Sequence, residues 1–480
     1  MSLFSENLKE YVQKSHISVS KLSAETEISR TLFHKYLSGN RMPKNSQEVR
    51  RIGSAMMLLP RQQEDLLECY ARSTYGEKNY ESFGKLKHML EGMYDFRLEK
   101  RRRILDMDIV KKLSLINGEE AASFYGRLQV EDALTQLLWL AAGKNRKECV
   151  KVKMIIQPDQ DNIINPILRM SSHLDLDLEH IVCLDCNKND NDNIGLLFST
   201  LAFEFASTAY QSYFYYDNII YHVNQMSLLP NMLLVGEYVF LCSNEADECL
   251  ILHQKTEIEF FRKEYEKMKN CTQKLGIINQ SAEELAELMS LVMESGMVDL
   301  QIGCFPCLLA AMDEKIIQRH LRLQSPAMEK AVQMIGETFS QLKEKRQFRN
   351  YFSEAGLRKF MQNGIIQGYP SDIFLPFTAQ ERMVILKRLL WLLKSGSLSY
   401  YMARESRLRM DDAVVIYASR GGDVNFWCKS GAYGKTIMVK ETSIVENIHR
   451  FIDYAVENDW FYSKQVTIEC IEQMIIEYSM

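Results

Sequence analysis

The first seventy residues carry helix starts and stops at such short intervals that a small all-helical bundle is the fold they allow. Leu8 and Val12 stand four apart in a polar stretch, which predicts a first amphipathic helix ending near His16, with Ile17 re-entering the core. Ser18 is placed to cap a second helix, SVSKLSAE, which turns Leu22 inward with Ser23 and Ala24 beside it. After a TEI turn, Ser29 caps a third helix, RTLFHKYL. Its Phe33, Tyr36 and Leu37 (i, i+3, i+4) face the core and leave Arg30, Thr31, His34 and Lys35 outward. Gly39 stops that helix and NRMP leads out through Pro43. Asn45 and Glu48 have the spacing of a capping box ahead of Val49, Ile52 and Met56. Pro60 then opens a fifth helix bearing Leu66, Leu67 and Tyr70.

Within this bundle, ISVSKLSAETEISRTLFHKYLSGNRMP resembles the helix-turn-helix of the phage repressor and Cro (Xre) class. The features that carry the likeness are the polar start at Ser18, Leu22 with its small neighbour, Ile28 before Ser29, the apolar Phe33 and Tyr36, and the SGNRMP exit. The likeness covers residues 5 to 72 of 480. One departure stands out: the family's inter-helix turn usually holds glycine where this chain has Glu27, which calls for a different backbone conformation or a strained one.

The resemblance implies a lambda-repressor-like, five-helix DNA-binding domain whose third helix, 29 to 37, enters the major groove of double-stranded DNA. Ser29 would start it, Arg30, Thr31 and Lys35 would reach base edges, and His34 would lie beside them. Arginine can pair bidentately with guanine O6 and N7, and threonine can meet a base edge or the thymine methyl. Ser18 and the start of the second helix would meet a phosphate, with Arg41 and Lys44 adding charge from the exit loop. A homodimer is expected, because a single small domain of modest charge binds weakly.

Charge is distributed as that reading needs. The whole chain is net −5, too acidic to coat nucleic acid or anionic membrane indiscriminately. Residues 1 to 60 hold nine basic and five acidic side chains, so this segment is +4 and the remainder −9. The alternative is a bundle with a solvated outer face that docks protein rather than DNA.

The 480 residues suffice for about three domains, and 46% apolar with 25% charged residues is a globular composition. Glycine (22) and proline (9) are scarce, which leans the chain toward helix. No leader-like start and no apolar run of membrane-spanning length is visible, so a cytoplasmic protein without membrane attachment is expected. Eleven cysteines without a secretory signal are expected to be reduced thiols.

Residues 73 to 118 read as a helical connector. Phe83, Leu86, Leu90 and Met93 form a stripe that could pack on this chain or on a second copy, ahead of a basic run from Lys100 to Arg103. From 119 to 280 helices alternate with β-branched apolar runs (151–156, 180–185, 210–217, 232–242, 248–254), an α/β sensory domain. Residues 281 to 363 read as a helical segment and 364 to 480 as a second α/β domain, giving a helix-rich, multidomain α/β (α+β) chain. ILHQKTEIEFFRKEY (251–265) and IMVKETSIVENIHRF (437–451) share a strand end, an acidic helix start and apolar spacing, a faint sign of two related halves.

Other chemistry is weakly signalled. Cys183–Cys186 and Cys304–Cys307 are CxxC pairs with the spacing of a zinc corner or redox dithiol, but their apolar surroundings read as core. Tyr210, Tyr213, Phe214, Tyr215 and Tyr216 fit a pocket wall or a half-buried strand equally. Arg404, Arg407 and Arg409 fit an anion site or an ordinary surface. No phosphate-loop, dinucleotide, HExxH or GxSxG motif occurs, so neither a catalytic residue nor a cofactor or metal site is assigned. The expectation is a non-enzymatic transcriptional regulator with an N-terminal DNA reader and a large region sensing a small molecule or a protein effector. The rival expectation is a protein-interaction or redox/zinc-sensing protein.

Overall fold

The computed structural model describes residues 2–92, 121–143, 149–158, 160–186, 192–206, 209–217, 229–278, 298–312, 314–322, 348–366, 374–419, 422–429 and 435–479, with single positions at 284, 287, 326, 329, 330, 333 and 337. Met93, the Lys100–Arg103 run and most of 281–347 lie outside them.

Five helices build the head: α1 Leu3–Ser15, α2 Val19–Thr26, α3 Arg30–Ser38, α4 Ser46–Ala55 and α5 Pro60–Tyr75. Ser2, Ser18, Ser29 and Asn45 each cap the helix that follows by accepting a bond from a free backbone N–H. Leu8, Leu22, Phe33, Tyr36, Val49, Ile52 and Leu66 are fully buried together. Phe4 and Tyr11, which the helical stripe of α1 did not single out, join them, and Phe4 meets Tyr70 edge to face at 5.8 Å.

The rest of the described chain is α+β, built on two mixed sheets. The first has strands β1 Ala121–Tyr125, β2 Val150–Ile155, β3 Leu176–Asp185, β4 Ala209–Asp217, β5 Asn231–Val235, β6 Tyr238–Cys242, β7 Glu248–Leu252 and β8 Gln273–Lys274. Its helices are α7 Arg127–Ala141, α8 Asp161–Ser171, α9 Asn193–Ala206 and α10 Lys255–Lys269. The second sheet has β9 Gly276–Ile278, β10 Leu300–Gly303, β11 Arg349–Phe352, β12 Ser399–Met402, β13 Val414–Ala418, β14 Val424–Cys428 and β15 Lys435–Val439. With it go α11 Glu314–His320, α12 Glu354–Asn363, α13 Ala379–Lys394, α14 Thr442–Glu457 and α15 Lys464–Glu477.

The two sheets repeat one topology. The first runs β4-β3-β2-β5-β6-β7-β1, with β8 added beside β4; the second runs β12-β11-β10-β13-β14-β15-β9. In each, three parallel strands meet an antiparallel meander, and the earliest strand closes the far edge antiparallel to the last. The two segments with similar sequence patterns fall at matching places, β7 into α10 and β15 into α14. The span 281–363, read as helical from the sequence, carries α11 and α12 but also supplies β10 and β11 to the middle of the second sheet, and β9 sets that sheet's start before 280. Four-residue strands such as LQIG and RNYF are too short and too polar for a period-2 pattern to show.

Helix α6, Glu77–Leu90, carries the connector stripe. Phe83, Leu86 and Leu90 are buried in a core shared with α9, the second sheet and α14, so the described stripe packs on its own chain. Phe83 lies 5.4 Å from Tyr454 and 6.0 Å from Phe451, ring to ring. The head reaches the same place: Ser46 Oγ donates to the Glu457 carbonyl at 2.5 Å, and Tyr75 meets Tyr454 at 5.7 Å. Among the described residues no helix is long and apolar enough to cross a membrane.

Candidate nucleic-acid interface

The turn between α2 and α3 follows from three side chains. Glu27 takes the left-handed conformation (φ 59°, ψ 18°), the place the sequence departure pointed to. Thr26 Oγ1 donates to the Leu22 carbonyl at 2.6 Å and accepts from Ile28 N at 3.4 Å. Ser23 Oγ donates to the Ile28 carbonyl at 2.6 Å. Backbone groups that a turn would orphan are thus held by buried or half-buried hydroxyls, and Ile28 is pinned in the core. Ser29 then caps α3, accepting from Leu32 N at 3.3 Å, as Ser18 caps α2 by accepting from Lys21 N at the same distance.

On α3, Phe33 and Tyr36 are fully buried, whereas Arg30, Thr31, His34 and Lys35 are exposed. Ser18, Ser29, Arg41 and Lys44 are exposed as well, so all eight residues singled out in the sequence are accessible. Among the described residues no carboxylate pairs with the side chains of Arg30, Lys35, Arg41 or Lys44, although Lys14, Lys21 and Arg72 elsewhere in the head do pair, with Glu10, Glu25 and Glu68. The exposed side of α3 and its exit loop therefore carries four uncompensated cations.

The exit loop is set by Glu48, whose role the spacing only partly revealed. Glu48 N donates to Asn45 Oδ1 at 3.0 Å, the first half of a capping box. The carboxylate does not return to Asn45; it accepts from Lys44 N at 2.7 Å and from the Tyr36 hydroxyl at 3.1 Å. A buried carboxylate therefore ties the inner face of α3 to the loop that leaves it. Burial, and then Glu48, push the Tyr36 hydroxyl up to about 12. The Asn45-to-Glu48 spacing marked these residues, but a bond to Tyr36, twelve positions earlier, has no sequence signal.

The rival chemistry fares differently. All eleven cysteines are free, and among the described residues no group of three or more His, Cys, Asp or Glu is placed to hold a metal. Cys183, Cys304 and Cys307 are buried and Cys186 is exposed. Burial pushes the Cys183 thiol up to about 11 and raises Cys304 too, so both are held as neutral thiols. The tyrosines of β4 alternate between its two faces: Tyr210 bonds His180 Nδ1 at 2.8 Å, Lys269 Nζ lies 4.7 Å over the Tyr213 ring, and Tyr216 bonds Glu441. Arg404 stacks on Tyr462 at 4.6 Å, while Arg407 and Arg409 are exposed.

No protein-family pattern matches the chain, and no curated protein sequence matches it. Solved structures give distant likenesses only. An archaeal chromatin protein, TrmBL2, with a novel mode of DNA binding, is 11% identical at a TM-score of 0.22, covering 44% of this chain and 71% of that one. A phosphatidylserine synthase of Haemophilus influenzae Rd KW20 is 9% identical at 0.21, covering 77% and 97%. A polyphosphate kinase of Porphyromonas gingivalis is 11% identical at 0.21, covering 69% and 46%. Superpositions this poor bear on neither fold nor function.

Proposed function

We propose that the protein is a DNA-binding transcriptional regulator of the phage repressor and Cro type, reading double-stranded DNA through α3 as a homodimer. The large α+β region is the part that senses a small molecule or protein. The observation that carries this reading is the unpaired cationic face of α3 and its exit loop. That face is supported from behind by buried Phe33 and Tyr36 and fixed at both ends by caps. Arg30, Thr31 and Lys35 would read base edges with His34 beside them; Ser18, Ser29, Arg41 and Lys44 would hold phosphates through hydroxyls, backbone donors and charge. Two copies would meet half-sites about 34–36 Å apart or a multiple of that.

The test is genome-wide footprinting with wild type and with Arg30→Ala plus Lys35→Ala at matched folding. The expected result is a paired motif that the double variant loses. Arg41→Ala plus Lys44→Ala should instead weaken all sequences alike and lower the salt slope by about 0.9 for each phosphate contact removed. Equal occupancy by wild type and the Arg30/Lys35 variant would defeat the assignment.

A further inference from the structure

A cleft of about 540 Å³ opens where the head, α6 and the end of α14 meet. Its volume lies in the range of small-molecule sites, about 300–1,000 Å³. The head contributes Arg50 and Gln63 together with two carboxylates, Glu64 and Glu68, the second paired with Arg72; α6 contributes Tyr80 and Lys87, and the large region Arg407 and Trp460. Two features show a demand that the protein itself does not meet. Arg50 Nε and Gln63 Nε2 are buried N–H donors without an acceptor, a costly state unless an acceptor enters. Arg50 and Arg407 have no carboxylate partner among the described residues, whereas Lys87 reaches Glu91 at 3.8 Å and lies 5.2 Å over the Trp460 ring.

The apolar lining is Pro60, Leu67 and a group of aromatic rings. Trp460 and Tyr80 are half-exposed and stand edge-on to Tyr454, at 5.6 and 5.9 Å. Gly84, in the middle of α6, also lines the cleft, and a Cβ there would meet nothing within 4 Å. Glycine weakens a helix interior, and no close contact within the protein demands it here. Its absent side chain keeps the cleft clear.

We infer that this cleft binds a small phosphate monoester carrying a flat ring, of the nucleoside monophosphate class. The oxygens would accept from Arg50, Gln63 and Arg407, and the ring would lie against Tyr80 and Trp460. A ligand held by Arg50 and Arg407 together bridges the head and the large region. The binding claim stands apart from the DNA reading, because its test contains no DNA.

The test is titration calorimetry on the full chain with adenosine and guanosine monophosphates, the two parent nucleosides and inorganic phosphate. At least one monophosphate should bind more tightly than its nucleoside and than phosphate, and Arg50→Gln or Arg407→Ala should weaken it about tenfold or more. Gly84→Gln, which fills the cleft from an unobstructed helix position, should abolish binding while the melting temperature holds or rises. Monophosphates that bind no tighter than phosphate or nucleoside, or binding that survives Gly84→Gln, would overturn the inference.

Discussion

Replacing Glu27 by glycine should make the head more stable, because the inter-helix turn holds a residue with a Cβ in a left-handed conformation that glycine adopts without strain. Glu27 sits at φ 59° and ψ 18°, where the Cβ of an L-residue approaches the following carbonyl at about 1–2 kcal/mol. Glycine removes that clash but gives the unfolded chain more freedom, returning about 0.4–1 kcal/mol. The difference is about 0–1.6 kcal/mol, and subtracting about 0.3 kcal/mol for the acid lost beside α3 leaves a net gain of about 0.5 kcal/mol at mid-range. The turn should keep its shape, since Thr26 and Ser23 hold it through bonds that Glu27 does not share. Charge must be separated from conformation. Glu27 is exposed just before the start of α3, where an acid interacts favourably with the helix dipole by about 0.3 kcal/mol or more. Glu27→Gln loses the charge and keeps the strain; Glu27→Asn loses the charge and tolerates the left-handed backbone. Hydrogen exchange read by mass spectrometry over residues 19–38 of the full chain should rank protection as Gly above Asn above Gln. If Gly and Gln exchanged alike, the turn would not be strained as described.

Four further outcomes follow from the same geometry. Gly84→Ala should raise stability by about 1 kcal/mol by helix propensity alone, since its Cβ meets nothing within 4 Å; urea denaturation checks it. Gly356→Ala should destabilise by about 1–3 kcal/mol, because its Cβ would fall 2.0 Å from the Cys304 carbonyl oxygen, a backbone atom that cannot swing away. Burial lowers His180 from 6.5 to about 4, so the folded state favours neutral imidazole. Its contribution is full above pH 6.5 and is lost as pH falls toward 4, about 3 kcal/mol in all, and His180→Gln should flatten that part of a stability–pH curve. Tyr36, raised to about 12, contributes below pH 10 and loses that contribution as pH climbs through 12. Exchange protection of α3 should fall in that window in wild type and fall less in Tyr36→Phe.

What the sequence disclosed depended on how local each physical cause was. The head's helices were legible because caps, stops and apolar stripes act within one or two turns: Ser18, Ser29, Asn45 and Pro60 all stand at helix starts. The meanders β5–β7 and β13–β15 were legible as apolar runs broken by turn residues. By contrast β10 and β11 carry Gln301 and Asn350 among their few residues, and both are buried because backbone groups bond them: Gln301 Nε2 donates to the Phe305 carbonyl, and Asn350 Oδ1 accepts from Cys307 N. Polarity that in most sequences marks a surface is here consumed inside. The amphipathic stripe of α6 was visible, but not what it faces, because Phe451 and Tyr454 lie more than 360 positions away.

The same contrast separates the two sites. The exposed residues proposed to meet DNA fall between 18 and 44 because one capped helix, its neighbour's start and its exit loop build that surface, so a single amphipathic pattern reveals it. The cleft draws on positions 50, 63, 80, 87, 407 and 460, of which only Tyr80 and Lys87 share an element, α6; the other four come from separate segments of the chain. What marks it is an unmet requirement: donors at Arg50 and Gln63 that folding has buried without acceptors, and a helix glycine that only open space explains. Such requirements exist only once distant segments have packed, and for that reason a cleft set between the head and the large α+β region leaves almost no linear trace.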